Sequence, residues 1–352
     1  AFDGCKKLTL YCFKGSLAEA RAVAENIKYS SKDPEPKDYL KYDVLENGGI
    51  IIKGCYMEAP EEIVVPSTLE EKPVTCIGNS AFIQCSNLTS ITIPEGITDI
   101  GNLAFAECSS LTSITIPEGV TYIGSLAFSG CDNLSSITIP EGVTNIGEWA
   151  FANCDNLSSL MIPSHTIMNA NAVSGCKKLG TYFTYATWNT EEIEINGCGN
   201  KSLKEMDIPS MVGGKLVTRI GERAFSNCSS LSNVTIPEGV TNIGERAFSF
   251  CSGLSSITIP EGVTSIGDGA FYSCSSLSSI TIPEGVTSIG DSVFSSCSSL
   301  SSIIIPEGVT SIGEWAFSFC SNLSSIIIPE GVTSIGEQAF SLCSSLSNIV
   351  IP

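Results

Sequence analysis

Cysteine returns every 23 residues in two runs: Cys85, Cys108, Cys131 and Cys154, then Cys228, Cys251, Cys274, Cys297, Cys320 and Cys343. The same letters travel with it, Ala-Phe-x-x-Cys-x-x-Leu-x-x-Ile-x-Ile-Pro-Glu-Gly-Val-Thr-x-Ile-Gly. A unit this short cannot bury its own apolar face, so a repeat of this period predicts coils stacked into a solenoid. Within a unit, Leu-x-x-Ile-x-Ile alternates with period two and reads as a short strand. Pro-Glu-Gly supplies the turn that ends it, Val-Thr-x-Ile-Gly is a second extended stretch, and Gly-x-x-Ala-Phe-x-x-Cys is a turn or a short 3-10 piece. Eight of the 23 positions (Leu, Ile, Ile, Val, Ile, Ala, Phe and Cys) point inward, so each coil adds one layer to a narrow core.

Charge narrows the partners. The chain carries 18 Lys and Arg against 37 Asp and Glu, a net of −19 over 352 residues. A field that acidic repels phosphate backbones and anionic headgroups, which excludes nucleic acid and electrostatic membrane docking as expected partners. No apolar run approaches the ~20 residues that span a bilayer, so no direct membrane insertion is expected of this segment. The first residues, Ala1 to Leu8, echo Ala172 to Leu179 and read as the end of a preceding repeat within a longer protein.

Sixteen cysteines would suggest a disulfide scaffold, but ten occupy one column of the repeat. Stacked at roughly 4.8 Å, they form a ladder of parallel side chains that fits disulfide geometry poorly. Buried, reduced, core-filling thiols are the expectation. Zinc is a poor alternative, because ligands strung along a line are not tetrahedral.

The repeats come in blocks. Ile50–Cys55 is matched 143 residues later by the segment from Ile193 to Cys198, and the same offset relates Ile77 to Ile220 and Cys85 to Cys228. In both blocks the first Pro-to-Ile-Gly connection is five residues longer than in regular units, so each block opens on a divergent, hairpin-like coil. The expected division is 1–41, 42–183 and 184–352. The first part holds the preceding repeat's end, an amphipathic helix over 17–29 begun by the Ser16 to Glu19 capping box, and a tether from Asp33 to Pro36. The other two are repeat blocks, read as one continuous solenoid. The helix either docks on the solenoid or binds a partner.

The repeating units resemble the BspA-like, treponemal-class leucine-rich repeats over roughly residues 41–352. The resemblance implies a curved right-handed solenoid of the α/β leucine-rich-repeat class, mostly β with short turns, whose Leu-x-x-Ile-x-Ile strand lines one face. It also implies an extracellular or cell-surface protein that binds host, matrix or neighbouring-cell proteins in adhesion. The insert over 14–41 departs from the usual repeat.

Chemistry is hard to find. The single histidine, His165, sits where the first block decays, and a dyad with Cys176 has no third group to orient it. Glu95, Glu118, Glu141, Glu238, Glu261, Glu284, Glu307 and Glu330 form one column, and Glu148, Glu222, Glu245, Asp268, Asp291, Glu314 and Glu337 a second. Like charges at coil spacing must face water, with incidental calcium as the alternative, and they offer no pair of unlike carboxylates for acid–base work. Gly213, Gly214 and Lys215 lack the rest of a phosphate-binding loop. No cofactor and no catalytic residue are expected.

Outward strand positions say more. They are mostly Ser, Thr or Asn, but turn apolar at Ile304, Ile327 and Val350, and at Met161 in the first block. These residues, with Trp149 and Trp315 on the turns, are the candidate partner contacts, unless a neighbouring element covers them. The reading is a non-enzymatic protein-binding solenoid. The alternatives are a stalk that presents another domain and a glycan-binding surface module.

Overall fold

The computed structural model describes residues 10–13, 29–32, 35, 39–56, 60–169, 171–187 and 191–351. Every named element among them is a strand, and the chain divides into two compact units. The first comprises Ala1–Leu157 with Thr166–Lys178, the second Ser158–His165 with Leu179–Pro352. The predicted helix over 17–29 lies outside the described residues except at its last position. There Tyr29 begins a strand, Tyr29–Lys32, parallel to Leu10–Phe13.

Each unit is a stack of coils that pair in parallel with a register of one repeat. In the first, Ile100, Ile123 and Ile146 sit side by side in the strands Asp99–Ile100, Tyr122–Ile123 and Asn145–Ile146. In the second, Ile220 pairs with Ile243 and Ile243 with Ile266. The other strand of the repeat stacks likewise, Ser279–Thr281 on Ser302–Ile304 and Ser325–Ile327 on Asn348–Val350. Threonine reinforces the stack: the Thr121 amide donates to the Thr98 carbonyl at 2.8 Å, and its hydroxyl donates to the same oxygen at 3.3 Å.

In an interior coil all eight inward positions are buried. Ala127, Phe128, Cys131, Leu134, Ile137, Ile139, Val143 and Ile146 form one such layer. The phenylalanines stack face to face, Phe82 to Phe151 at 5.2–5.4 Å between ring centroids and Phe225 to Phe340 at 5.3–5.7 Å. The glycine of Ile-Gly lets adjacent coils approach, since a Cβ on Gly267 would lie 2.5 Å from the Glu245 amide nitrogen.

The Gly-x-x-Ala-Phe-x-x-Cys stretch is a chain of turns. The Ala224 amide donates to the Gly221 carbonyl, Ser226 to Arg223 and Cys228 to Phe225. In most coils two residues there, the ones before Ala and before Cys, have φ near +50 to +65°, for example Trp149 and Asn153 or Trp315 and Phe319. Positive φ is costly for a side chain with a Cβ. It is held because the amides of these residues bond across to the next coil, Trp315 to Glu337 and Phe319 to Ser341.

The divergent openings are hairpins, as the sequence suggests. Leu40–Val44 runs antiparallel to Ile50–Cys55, and Thr68–Leu69 to Lys72–Ile77. In the second unit Phe183–Thr187 runs antiparallel to Glu192–Cys198, and Met211–Val212 to Lys215–Ile220. The five extra residues form the second hairpin of each pair. Gly213 and Gly214 are therefore its turn.

Candidate functional site

The strand face of the second unit is built by alternation. In Ser302–Ile304 and Ser325–Ile327 the middle isoleucine enters the core while its neighbours point out. Ile304 is 77% exposed, Ile327 68% and Val350 57%. Thr281 stands in register with Ile304, and Ile327 with Val350, so the column changes from hydroxyl to branched alkyl along the face. Around it lie exposed serines, which makes an apolar stripe on a polar sheet.

Met161 does not belong to this group. It is 3% exposed, in a strand, Ser159–Pro163, whose last four residues are all buried. The strand pairs with Phe183–Thr187 of the irregular hairpin and joins its apolar cluster, so the outward position of a regular coil is covered here. Trp149 and Trp315 are 40% and 37% exposed, both at left-handed turn positions.

A second feature was not visible in the sequence. A groove of about 720 Å³ runs along the turns of the second unit, its walls including Arg223, Arg246, Phe250, Asp268, Tyr272 and Asp291. Phe250 and Tyr272 meet edge to face at 5.2 Å. They are 22 residues apart, one short of the repeat, so no column alignment pairs them. The acidic column beside them faces water and also bonds between coils: the Asp291 amide donates to Asp268 Oδ1 at 2.9 Å, and the Glu314 amide to Asp291 Oδ1 at 2.7 Å.

The cysteine column fills the core and also donates. Cys108 Sγ donates to the Phe82 carbonyl at 3.0 Å, and Cys131, Cys154, Cys251, Cys274, Cys297, Cys320 and Cys343 repeat the contact at 3.1–3.2 Å. All cysteines whose side chains are described are free thiols. Burial pushes Cys108, Cys274 and Cys320 up to about 12, so these thiols stay protonated at neutral pH. Cys176 donates to the Phe151 carbonyl at 3.0 Å in the same manner, and His165 is exposed. Among the described residues, no group of three or more His, Cys, Asp or Glu is placed to hold a metal ion, and no helix is long and apolar enough to cross a membrane.

Residues 58–180, 191–301 and 264–352 match the profile described as the BspA type leucine rich repeat region, in six copies. The chain belongs to the BspA type leucine-rich-repeat family. A leucine-rich repeat protein from Bacteroides ovatus is 31% identical, the match covering 90% of this chain and 88% of that one, with a TM-score of 0.43. A leucine rich cell surface protein from Faecalibacterium prausnitzii is 27% identical over 89% of this chain and 93% of that one, with a TM-score of 0.36. The pneumococcal vaccine antigen PcpA is 20% identical over 88% and 78%, with a TM-score of 0.34. No curated protein matches the chain. Leucine-rich-repeat families are generally non-enzymatic and commonly bind proteins.

Proposed function

We propose that this BspA type repeat protein is displayed at the cell surface or secreted, and binds host, matrix or neighbouring-cell proteins through the strand face of its second unit. The observation that carries the reading is the exposed stripe of Ile304, Ile327 and Val350 on a sheet face that is otherwise polar, mostly serine, threonine and asparagine. Branched alkyl groups in a row supply an apolar anchor, and the surrounding hydroxyls supply many weak polar contacts. The net charge of −19 favours a basic partner. Family membership supports the surface placement.

The test is adhesion of beads coated with the full chain to epithelial cells and to matrix proteins. Replacing Ile304, Ile327 and Val350 together by Ser should weaken adhesion about tenfold or more, because centrally placed apolar anchors dominate such interfaces. Adhesion unchanged by the triple substitution would overturn the reading and leave the solenoid as a stalk. The turn-side groove favours a second reading, glycan binding, since it places Phe250 and Tyr272 beside Arg223, Arg246 and Asp268. Loss of adhesion on Phe250→Ala with the stripe intact would select it.

A further inference from the structure

The first rung of the first cysteine run is unlike those that follow it in that run. From Cys108 onward in the first unit, each sulfur of the column donates to a phenylalanine carbonyl of an earlier coil. Cys85, the first rung, instead meets another sulfur: Cys55 Sγ lies 3.3 Å away. Cys55 ends the strand Ile50–Cys55 in the opening hairpin, where it pairs with Leu40, so the contact joins the irregular coil to the first regular one. Both thiols are only partly buried, unlike the rungs that follow. They line an open groove of about 310 Å³ whose walls include Tyr56, Ile63, Ile83 and Gln84.

We propose that Cys55 and Cys85 form an oxidisable dithiol that reacts with small disulfides of the glutathione class and closes to a disulfide pinning the opening hairpin to the stack. The groove admits the reactant, and the sulfurs need to close from 3.3 Å to about 2 Å, a movement within reach of side-chain rotation. Either sulfur can donate across this contact. Once Cys55 is the thiolate, the S–H of Cys85 and the nearby charge of Lys41 hold it, which pulls the Cys55 thiol down to about 7. The charge of Lys41 favours the thiolate at Cys55, whereas the neighbouring thiols and burial keep Cys85 protonated, so Cys55 is assigned as the attacking sulfur and Cys85 as the resolving one. The Cys55 thiolate attacks one sulfur of the disulfide, and one glutathione leaves as thiolate and takes up the proton that Cys55 gave up. Cys85, losing its own proton, then attacks the Cys55 sulfur and expels the second glutathione. Two glutathione thiols are formed, and the protein gives up two hydrogens.

The chain carries its own control. Cys198 and Cys228 occupy the matching places in the second block and lie against each other, but Cys228 is fully buried and both thiols are raised above their ordinary value. They should react slowly.

The experiment uses the full chain, reduced, then exposed to oxidised glutathione at neutral pH, quenched, alkylated after denaturation and peptide-mapped by mass spectrometry. Wild type should yield a peptide cross-linked between Cys55 and Cys85, with two glutathione thiols released per chain and Cys198 still alkylated. Cys85→Ser should instead accumulate glutathione on Cys55, about tenfold faster than on Cys198. Circular dichroism reports whether each variant is folded, and the wild-type map stands without any variant. A wild-type map with Cys55 and Cys85 both alkylated, or with oxidation spread evenly over the cysteines, would overturn the proposal.

Discussion

The two block openings, 143 residues apart, make the same backbone from different side chains. Both contain two hairpins, and both carry a register shift at the same place, between Ile50 and Ile51 and between Ile193 and Glu194. In the first, Ile51 lies opposite Cys76, and Cys76 Sγ reaches Asp99 Oδ2 at 3.8 Å. In the second, the matching places hold Glu194, Arg219 and Asn242, with Arg219 Nε 3.5 Å from Glu194 and its Nη1 donating to Asn242 at 3.1 Å. The tight turn of the second hairpin is Glu70 and Glu71 in one block, Gly213 and Gly214 in the other, all at positive φ. What is common is the buried column and the coil-to-coil bonding. What differs is the half-buried pairs beside the hairpins and the residues of the tight turn.

The comparison breaks most easily in alkali. Unfolded, the ladder thiols ionise near pH 9, whereas in the fold Cys108 and Cys274 are pushed up to about 12 by burial. The folded value is the higher one, so this stability is intact below pH 9 and is lost as pH rises from 9 toward 12. Each such thiol costs about 1.4 kcal/mol per pH unit across that window. Urea unfolding between pH 8 and 11 should fall steeply. Cys108→Ala in one block and Cys274→Ala in the other should flatten the slope equally. A slope unchanged by either substitution would mean that the rungs are not buried as thiols.

Next in size come the first aromatic rungs, Phe82 and Phe225, which match at the 143-residue offset. Phe82 stacks on Phe105, while Phe225 stacks on Phe248 and also meets Phe183 edge-on at 6.4 Å. Truncating either to Ala should cost about 3–5 kcal/mol in urea unfolding, with Phe225 at the upper end. If Phe82→Ala costs under about 1 kcal/mol, the first block is packed differently from the second.

The smallest effect concerns the hairpin turns. A two-residue turn with both φ values positive suits Gly and strains Glu. Glu70→Gly and Glu71→Gly should therefore each raise stability by about 0.5–1 kcal/mol, and Gly213→Glu should lower it by about 1–2 kcal/mol. Opposite signs in thermal melts would show that the turns differ.

The sequence made the columns legible because a strict period turns alignment into geometry. Phe128, Cys131, Leu134 and Ile137 had to share a layer once the coils stacked. The offset between Ile50 and Ile193 likewise marked a divergent, hairpin-like opening in each block, though not that each opening holds two hairpins. Three things escaped it. The left-handed positions hold Trp149, Arg246, Phe250 and Leu342 as well as Gly130 and Gly269, so the residues that favour positive φ occur there in too few coils to mark the column. The thiol-to-carbonyl bonds join residues 26 apart, across coils, where reading one column at a time does not look. Met161 follows the alternation of a regular strand, yet the neighbouring hairpin strand Phe183–Thr187 buries it.

Equivalence of coils is the claim on which the rest stands, and removing one coil tests it most directly. Deleting residues 263–285 joins Gly262 to Val286 and restores the native Gly-Val step one repeat later. The shortened chain should keep its strand signal per residue and melt cooperatively, at a somewhat lower temperature, because each layer contacts only its neighbours. Deleting half that length from the same place should unfold the second unit. An intact half-coil deletion, or collapse on removal of the whole coil, would contradict the account.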